Sequence, residues 1–179
     1  GREFYFSIII GLLVVPIQGA LVPVLKMFIS FTEKTGIEIS GQYAAAWFVH
    51  SAFAMPLAIY ILRNYMMTIP NSLIEAARMD GATNFTIFWR LVLPISVPAL
   101  ASFAIFQFLW VWNDYLIAFV FVGNERPVLT YTLLAMLGQY GEGWQAVAAG
   151  SFISMSVPLL IFFSLQRYFV RGLTAGAVK

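Results

Sequence analysis

The sequence predicts an all-α integral membrane protein with four transmembrane helices, and its composition gives the first reason. Hydrophobic residues make up 61% of the 179 residues and charged residues only 10%, whereas an average soluble domain is about 25% charged. The second reason is that four stretches contain no Asp, Glu, Lys or Arg, and each is long enough for a helix to cross about 30 Å of hydrocarbon. These stretches are residues 4–25, 39–62, 91–113 and 143–166.

The distribution of positive charge is the third observation, because Lys and Arg in short loops set the orientation of a membrane protein. Most of the basic residues fall on the side that holds both chain ends: Arg2, Arg63, Arg78, Arg90, Arg167, Arg171 and Lys179. We therefore predict a multi-pass membrane protein whose C-terminus is cytoplasmic. The expected single domain, residues 1–179, has spans at about 4–25, 43–62, 95–121 and 145–168, a cytoplasmic loop at 63–94 and a tail at 171–179.

Composition also excludes several classes of function. The chain has no cysteine and a single histidine, His50, which excludes disulfide scaffolds, Cys/His zinc sites and thiol catalysis. The net charge of +2 comes from scattered residues and does not suit a nucleic-acid surface. We expect no metal site and no nucleic-acid partner.

Proline and glycine interrupt the first two predicted spans. Pro16, Gly19 and Pro23 lie in the first span and Pro56 lies in the second, so kinks are expected where backbone carbonyls lose their donors. The alternatives are simple helix curvature and a bend beside a transport pathway.

The loop at residues 63–94 reads as a helix, a turn and a second helix. Ser72 and Glu75 have the spacing of a capping box, and Gly81 occupies the position of a left-handed residue that ends the first helix. A second helix is predicted to begin at Thr83 or Asn84 and to run to Pro94.

A helix of two turns is unstable alone, so other residues must hold the first helix of this loop. It is either a lip that packs on its own bundle or a projection that fits a partner's groove. In the second case Ala76 and Ala77 would allow close approach, and Glu75 and Arg78 would supply directional charge pairs.

These residues resemble a known signature. Glu75-Ala76-Ala77, three residues, Gly81, nine residues and Leu91-Val92-Leu93-Pro94 are similar to the EAA-x3-G-x9-I-x-L-P pattern of ABC importer permease subunits, with Leu91 in place of isoleucine. Trp112-Asn113-Asp114 and the tail at residues 172–179 resemble the sugar-transporting branch, in particular its maltose-type permease. Permeases of this kind typically have six spans, so the resemblance implies that the chain lacks its N-terminal third.

The resemblance implies the transmembrane subunit of an ATP-driven carbohydrate importer that works by alternating access, and not an enzyme. ATP and Mg²⁺ would bind to a partner ATPase, since the sequence has no G-x4-G-K-[S/T] motif. The implied partners are a second permease subunit, a cytoplasmic ATPase dimer, an extracytoplasmic solute-binding protein and membrane lipid. The implied ATPase-coupling residues are Glu75, Ala76, Ala77, Arg78, Asp80, Gly81, Leu93 and Pro94.

The tail is either a disordered terminus or a hook that contacts the ATPase dimer. The resemblance favours the hook, with contacts from Gly172, Leu173, Thr174, Gly176 and Lys179.

Polar side chains near the third span suggest a pathway for a solute. Aromatic faces beside hydrogen-bonding groups suit a sugar, which has apolar C–H faces and many hydroxyls. The candidates are Gln107, Trp112, Asn113, Asp114 and Tyr115. The alternative for Asp114 is a helix-terminal residue in the aromatic belt at the membrane interface, and for Gln107 and His50 it is an interhelical hydrogen bond.

Two other functions remain as alternatives. One is an importer of a non-sugar solute such as a glycerol phosphodiester. The other is an intramembrane enzyme, for which the sequence offers only Asp114, His50 and Gln107; we expect these residues to lie too far apart to form an acid–base pair.

Overall fold

The computed structural model describes residues 1–137 and 143–174, with the side chains of Arg2 and of residues 167–174 left out. Within these ranges the chain is helical and contains no strand, so the predicted all-α class is confirmed. The helices are α1 (Arg2–Leu12), α2 (Ile17–Thr35), α3 (Tyr43–Met66), α4 (Asn71–Met79), α5 (Asn84–Ile87), α6 (Leu93–Ile95), α7 (Val97–Trp112), α8 (Leu116–Phe121), α9 (Leu129–Ala135) and α10 (Trp144–Thr174). A π-helical turn, Phe88–Val92, joins α5 to α6.

Two helices in the described ranges, α3 and α10, are long and apolar enough to cross a membrane unaided. Two bent pairs, α1 with α2 and α5–α6 with α7, bring the number to four if each pair is one span. The predicted spans at 43–62 and 145–168 therefore fall inside unbroken helices, even though Pro56 and Pro158 lie within them.

The first predicted span, residues 4–25, is not one helix. The chain turns by 95° between α1 and α2, because Pro16 has an extended backbone (φ −68°, ψ 125°) and cannot donate a helical hydrogen bond. The amides of the preceding residues are satisfied by a tight turn: Leu13, Val14 and Val15 donate to carbonyls three residues back. The predicted kink is thus a complete break.

The third predicted span, residues 95–121, is interrupted twice. The helical axis bends by 64° at Ser96, between Pro94 and Pro98. In a straight helix the ring of Pro98 would clash with the carbonyl of Pro94, four residues earlier. The second interruption follows Trp112, where α7 ends and the short helix α8 begins at Leu116.

The main core lies where α2, α3 and α8 meet. Phe28 and Phe121 contact edge to face with ring centroids 5.7 Å apart, and the buried members of this cluster are Leu21, Phe28, Ala45, Ala46, Val49, Ile117, Phe121 and Val122. The loops around the cluster are tied to it, because Gly41 donates to the carbonyl of Phe121 and Arg126 donates to the carbonyl of Gly41. This cluster fixes α8 against the first half of α3.

The loop at 63–94 has the predicted helix–turn–helix form but not the predicted cap. Helix α4 begins at Asn71 after Pro70, and no side chain caps it, so the capping box between Ser72 and Glu75 is wrong. Pro70 has an extended backbone and is the last residue before α4, so Ser72 already lies inside the helix and cannot be its N-cap. The cap forms one element later: Thr83 Oγ1 accepts from the amide of Thr86 at the start of α5.

The end of α4 is a Schellman motif, as the position of Gly81 predicts. Gly81 has a φ of +80° and donates to the carbonyl of Arg78, while Ala82 donates to that of Ala77. Ala77 and Ala82 are both half-buried and are the pair that this motif brings together.

We predict that Gly81→Ala lowers the free energy of unfolding by about 1–2 kcal/mol, because a side chain is disfavoured at this positive φ. Thermal unfolding in lipid nanodiscs measures the change. Gly11→Ala is the control, because Gly11 lies inside α1 with open space around it, where alanine is at least as favourable. Equal effects of the two substitutions would contradict the role assigned to Gly81.

Candidate functional site

Candidate functional residues lie at two places in the structure: the exposed helix α4 and the corner between α7 and α8. We call the second place the α7–α8 corner and define it as residues 113–115 with the ends of the two helices. Both places contain residues that the sequence singled out.

Helix α4 has no buried residue, and its faces differ. Ile74 and Ala77, three residues apart on one face, are half-buried. Ile74 lines a cavity of about 630 Å³ together with Met66 and Arg63 at the end of α3. This inner face therefore lies over the base of α3.

The rest of the surface at α4 is exposed and charged. Glu75, Arg78 and the C-cap residue Asp80 are all exposed, and none of them forms an ion pair within the described residues. Met79, at 89%, is the most exposed large apolar side chain in the described part of the chain. The helix therefore has a half-buried strip, Ile74 and Ala77, and an unpaired charged and apolar surface around it.

Further along the predicted coupling signature, the backbone is irregular. The π-helical turn Phe88–Val92 ends with the amide of Leu93 donating to the carbonyl of Phe88, five residues back. Pro94 cannot donate to the carbonyl of Arg90, and the wider turn absorbs this lost hydrogen bond. Leu93 and Pro94 thus shape the joint between the loop and α7, while Glu75, Ala76 and Ala77 lie on α4.

At the α7–α8 corner, Asp114 connects α8, α3 and α9 through its carboxylate and its main-chain carbonyl. Its Oδ1 accepts from the amide of Ile117 at 3.2 Å and its Oδ2 from the amide of Ala118 at 3.1 Å, so the carboxylate satisfies two amides in the first turn of α8. Oδ2 also lies 3.5 Å from Nε2 of His50 on α3. In addition, Thr130 donates to the main-chain carbonyl of Asp114 at 2.6 Å.

The expectation that His50 and Asp114 lie too far apart to pair is therefore wrong. Their side chains are 10% and 9% exposed, and the fold brings them together although 64 positions separate them in the sequence. His50 also contacts Trp110 edge to face at a ring-centroid distance of 5.0 Å. Its Nδ1 atom is buried and has no hydrogen-bond partner among the described residues. Sequence reasoning missed this pair because its only signal was one histidine in an apolar run.

Two cavities meet at His50. The first, which we call the corner cavity, has a volume of about 270 Å³ and extends to the α7–α8 corner; its walls include Tyr43, Trp47, Phe108, Trp112, Asp114 and Thr130. The second, which we call the mid-helix cavity, has a volume of about 470 Å³, and its walls include Trp47, Ser51, Ala54, Ala58, Phe103 and Gln107. His50, Trp47 and Val111 line both cavities. The two cavities therefore lie next to each other along α3, on the side that faces α7.

The structure separates the five residues predicted for a solute pathway. Trp112 and Asp114 line the corner cavity, and Gln107 lines the mid-helix cavity. Asn113 and Tyr115 line neither of the two. Asn113 donates from Nδ2 to the carbonyl of Leu109 at 2.7 Å, and the Tyr115 ring stacks on that of Tyr131 with centroids 6.2 Å apart.

The residues predicted for tail contacts divide between the described and undescribed parts of the chain. Helix α10 continues through Gly172, Leu173 and Thr174, so the described part of the predicted tail is helical. Gly176 and Lys179 lie outside the described residues.

An all-α membrane fold with an exposed EAA helix defines a permease component of a transport system, and comparison with known proteins agrees. Residues 1–175 match the family described as binding-protein-dependent transport system inner membrane component, and the chain belongs to this family. It is a multi-pass membrane protein.

Individual relatives are transport permeases. The chain is 49% identical, over 181 aligned residues, to the alpha-glucoside transport system permease protein of Rhizobium meliloti, covering all of this chain and 47% of that protein. It is 48% identical to the osmoprotective compounds uptake permease protein of Synechocystis, covering 100% of this chain and 59% of that one. An arabinooligosaccharides transport system permease protein of Halalkalibacterium halodurans is 32% identical, with 100% and 62% covered. The chain thus spans about half the length of the first two relatives.

We predict that Asp114→Ala lowers the free energy of unfolding by about 1–3 kcal/mol, because two buried amides and His50 lose their acceptor. Asp114→Asn should cost less, because its amide oxygen still accepts one of these hydrogen bonds. Chemical denaturation in mixed detergent micelles measures both.

The control for these variants is Asn124→Ala, at an exposed position in the loop after α8, where we expect a change within about 0.5 kcal/mol. If Asp114→Ala proves as mild as this control, the carboxylate does not hold the corner together.

Proposed function

We propose that the chain is the transmembrane subunit of an ATP-driven, binding-protein-dependent importer of carbohydrates. The family match supports the transport role, and the printed names of relatives that carry alpha-glucosides or arabinooligosaccharides support the solute class. Melibiose, raffinose and stachyose stand in the name of a further relative, at 31% identity.

The observation that carries the coupling role is the two-faced helix α4. Ile74 and Ala77 face the bundle, whereas Glu75, Arg78 and Asp80 are exposed and unpaired in the described part of the chain. Such a helix can dock in a groove of a second protein without losing the contacts of its half-buried residues. We assign that groove to a cytoplasmic ATPase, with Ala76 at the closest approach and charge-assisted hydrogen bonds from Glu75 and Arg78.

The energy for transport then comes from the partner. ATP and Mg²⁺ bind to an ATPase dimer, and closure of that dimer moves two coupling helices together and switches the bundle between inward-facing and outward-facing states. A second permease completes the pathway, and an extracytoplasmic binding protein delivers the solute. In this arrangement the loop at 63–94 and the C-terminus lie in the cytoplasm of a bacterial cell with its inner membrane around α3 and α10, as the positive charges favour.

We further propose that the end of the chain contributes a second ATPase contact. Gly172, Leu173 and Thr174 continue α10 beyond its apolar part, and Gly176 and Lys179 follow them in the sequence. The proposed contact surface is residues 172–179.

The alternative solute within transport is a glycerol phosphodiester or another non-sugar compound. The name of the Synechocystis relative refers to osmoprotective compounds, which supports this wider range of solutes. An intramembrane enzyme is disfavoured, because the carboxylate of the paired Asp114 and His50 is already engaged by two backbone amides.

The solute class is tested with the complete importer in vesicles. We predict ATP-dependent uptake of at least one of maltose, trehalose, sucrose and raffinose, and none of glycerophosphocholine or glycine betaine. Vesicles without ATP are the control. Uptake of glycerophosphocholine alone would replace the carbohydrate assignment with the alternative.

The coupling role is tested with Glu75→Ala and Arg78→Ala in the assembled complex. Each removes a charged hydrogen-bonding group, so we expect about tenfold weaker association with the ATPase, which corresponds to about 1.4 kcal/mol. Copurification and solute-stimulated ATP hydrolysis measure the loss.

The matched control is Glu38→Gln, an exposed glutamate in the connection between α2 and α3. This variant should copurify with the ATPase normally. If the α4 variants retain full association and full stimulation, α4 is not the coupling helix.

A further inference from the structure

We propose that the corner cavity is a binding subsite for one pyranose ring of the transported carbohydrate, so that this subunit contacts the solute directly. The inference rests on the proposed function and specifies where in this chain the sugar binds. It combines the aromatic walls of the cavity, the free acceptor sites at its polar end and its position beside the mid-helix cavity.

The walls offer flat apolar faces of the kind that pack on the C–H face of a sugar ring. Tyr43 and Trp47 come from α3, and Phe108 and Trp112 come from the end of α7. The Phe108 and Trp112 rings stack on each other, with an interplanar angle of 29° and centroids 5.4 Å apart, so each ring holds the orientation of the other. At about 270 Å³ the cavity lies just below the range typical of drug-sized ligands, which suits a single ring.

The polar end of the cavity can accept hydrogen bonds from hydroxyls. A carboxylate has about four acceptor sites, and the Asp114 carboxylate uses them for the amides of Ile117 and Ala118 and for His50, so acceptor capacity remains. The hydroxyl oxygen of Thr130 donates to the Asp114 carbonyl and can still accept.

The charge balance favours a neutral polyol over a cation. An aromatic cavity with a carboxylate also suits a quaternary ammonium group. Here, however, two backbone amides and His50 already compensate the carboxylate, so the cavity offers lone pairs more than a bare negative charge.

The position of the cavity fits a step on a transport path. Beyond His50 the mid-helix cavity continues along α3, with Ser51 and Gln107 as hydrogen-bonding groups and Ala54 and Ala58 as small wall residues. A ring released from the corner cavity would therefore next meet a wider space with few polar contacts.

The test measures sugar binding to the purified permease–ATPase complex in nanodiscs without the solute-binding protein, so that any signal comes from the membrane part. Radiolabelled maltose, trehalose and sucrose are the probes, and radiolabelled glycine betaine is the cationic comparison. Trp112→Ala should raise the Kd of the bound sugar about tenfold, which is a loss of about 1.4 kcal/mol. Trp112→Phe should restore most of the affinity, because it keeps an aromatic face.

The matched control is Trp144→Ala, since Trp144 is 62% exposed and lines neither cavity. This variant should bind sugar as the unmodified complex does. Sugar uptake by the complete importer is measured in parallel to distinguish failure of the proposed function from failure of the subsite. If the unmodified importer takes up no sugar, both the proposed function and the subsite are overturned.

If uptake is normal, three results overturn the subsite alone. These are no sugar binding to the unmodified complex, an unchanged Kd in Trp112→Ala, and a loss in Trp112→Ala that Trp112→Phe does not restore. Binding of glycine betaine that depends on Trp112, without dependence for sugars, would reassign the cavity to a quaternary ammonium solute.

Discussion

The carboxylate of Asp114 is the interaction on which the α7–α8 corner depends. A helix that ends inside an apolar environment exposes amides and carbonyls that lipid cannot satisfy. Asp114 supplies acceptors for two such amides, contacts His50 on α3 and, through its main chain, receives a hydrogen bond from Thr130. Among the described residues, it supplies the polar connection between the start of α8 and α3. The buried cluster around Phe121 adds apolar contacts between the same two helices.

This well-packed corner contrasts with the loop at residues 63–94, which is packed more loosely. At the corner, Phe121, Ile117 and Val122 are almost completely buried. In α4, by contrast, no residue is buried, and the helix depends on its Schellman motif and the half-buried Ile74 and Ala77. The coupling role proposed for α4 needs this difference, since one region must keep its shape while the other must accept a partner.

Much of the architecture could be predicted from the sequence, because long charge-free runs have few stable alternatives in lipid. The positive φ at Gly81 and the start of α5 at Thr83 follow from local chemistry and were predictable. Local sequence could not distinguish Pro16, where the chain breaks, from Pro56, which lies inside an intact helix, because packing against neighbours decides that cost. The His50–Asp114 contact was equally hidden, since spacing along a chain gives no distance between separate helices.

The π-helical turn before Pro94 has a consequence for the register of the helices. An α-helix advances about 100° per residue, and a π-helical turn inserts one additional residue. Side chains before Phe88 and after Val92 therefore follow two separate helical phases, although the chain looks continuous there. A helical wheel drawn across this joint places residues of α7 on the wrong face. Substitutions at the joint preserve the register, whereas removing one residue would rotate the faces of α5 and α7 relative to each other.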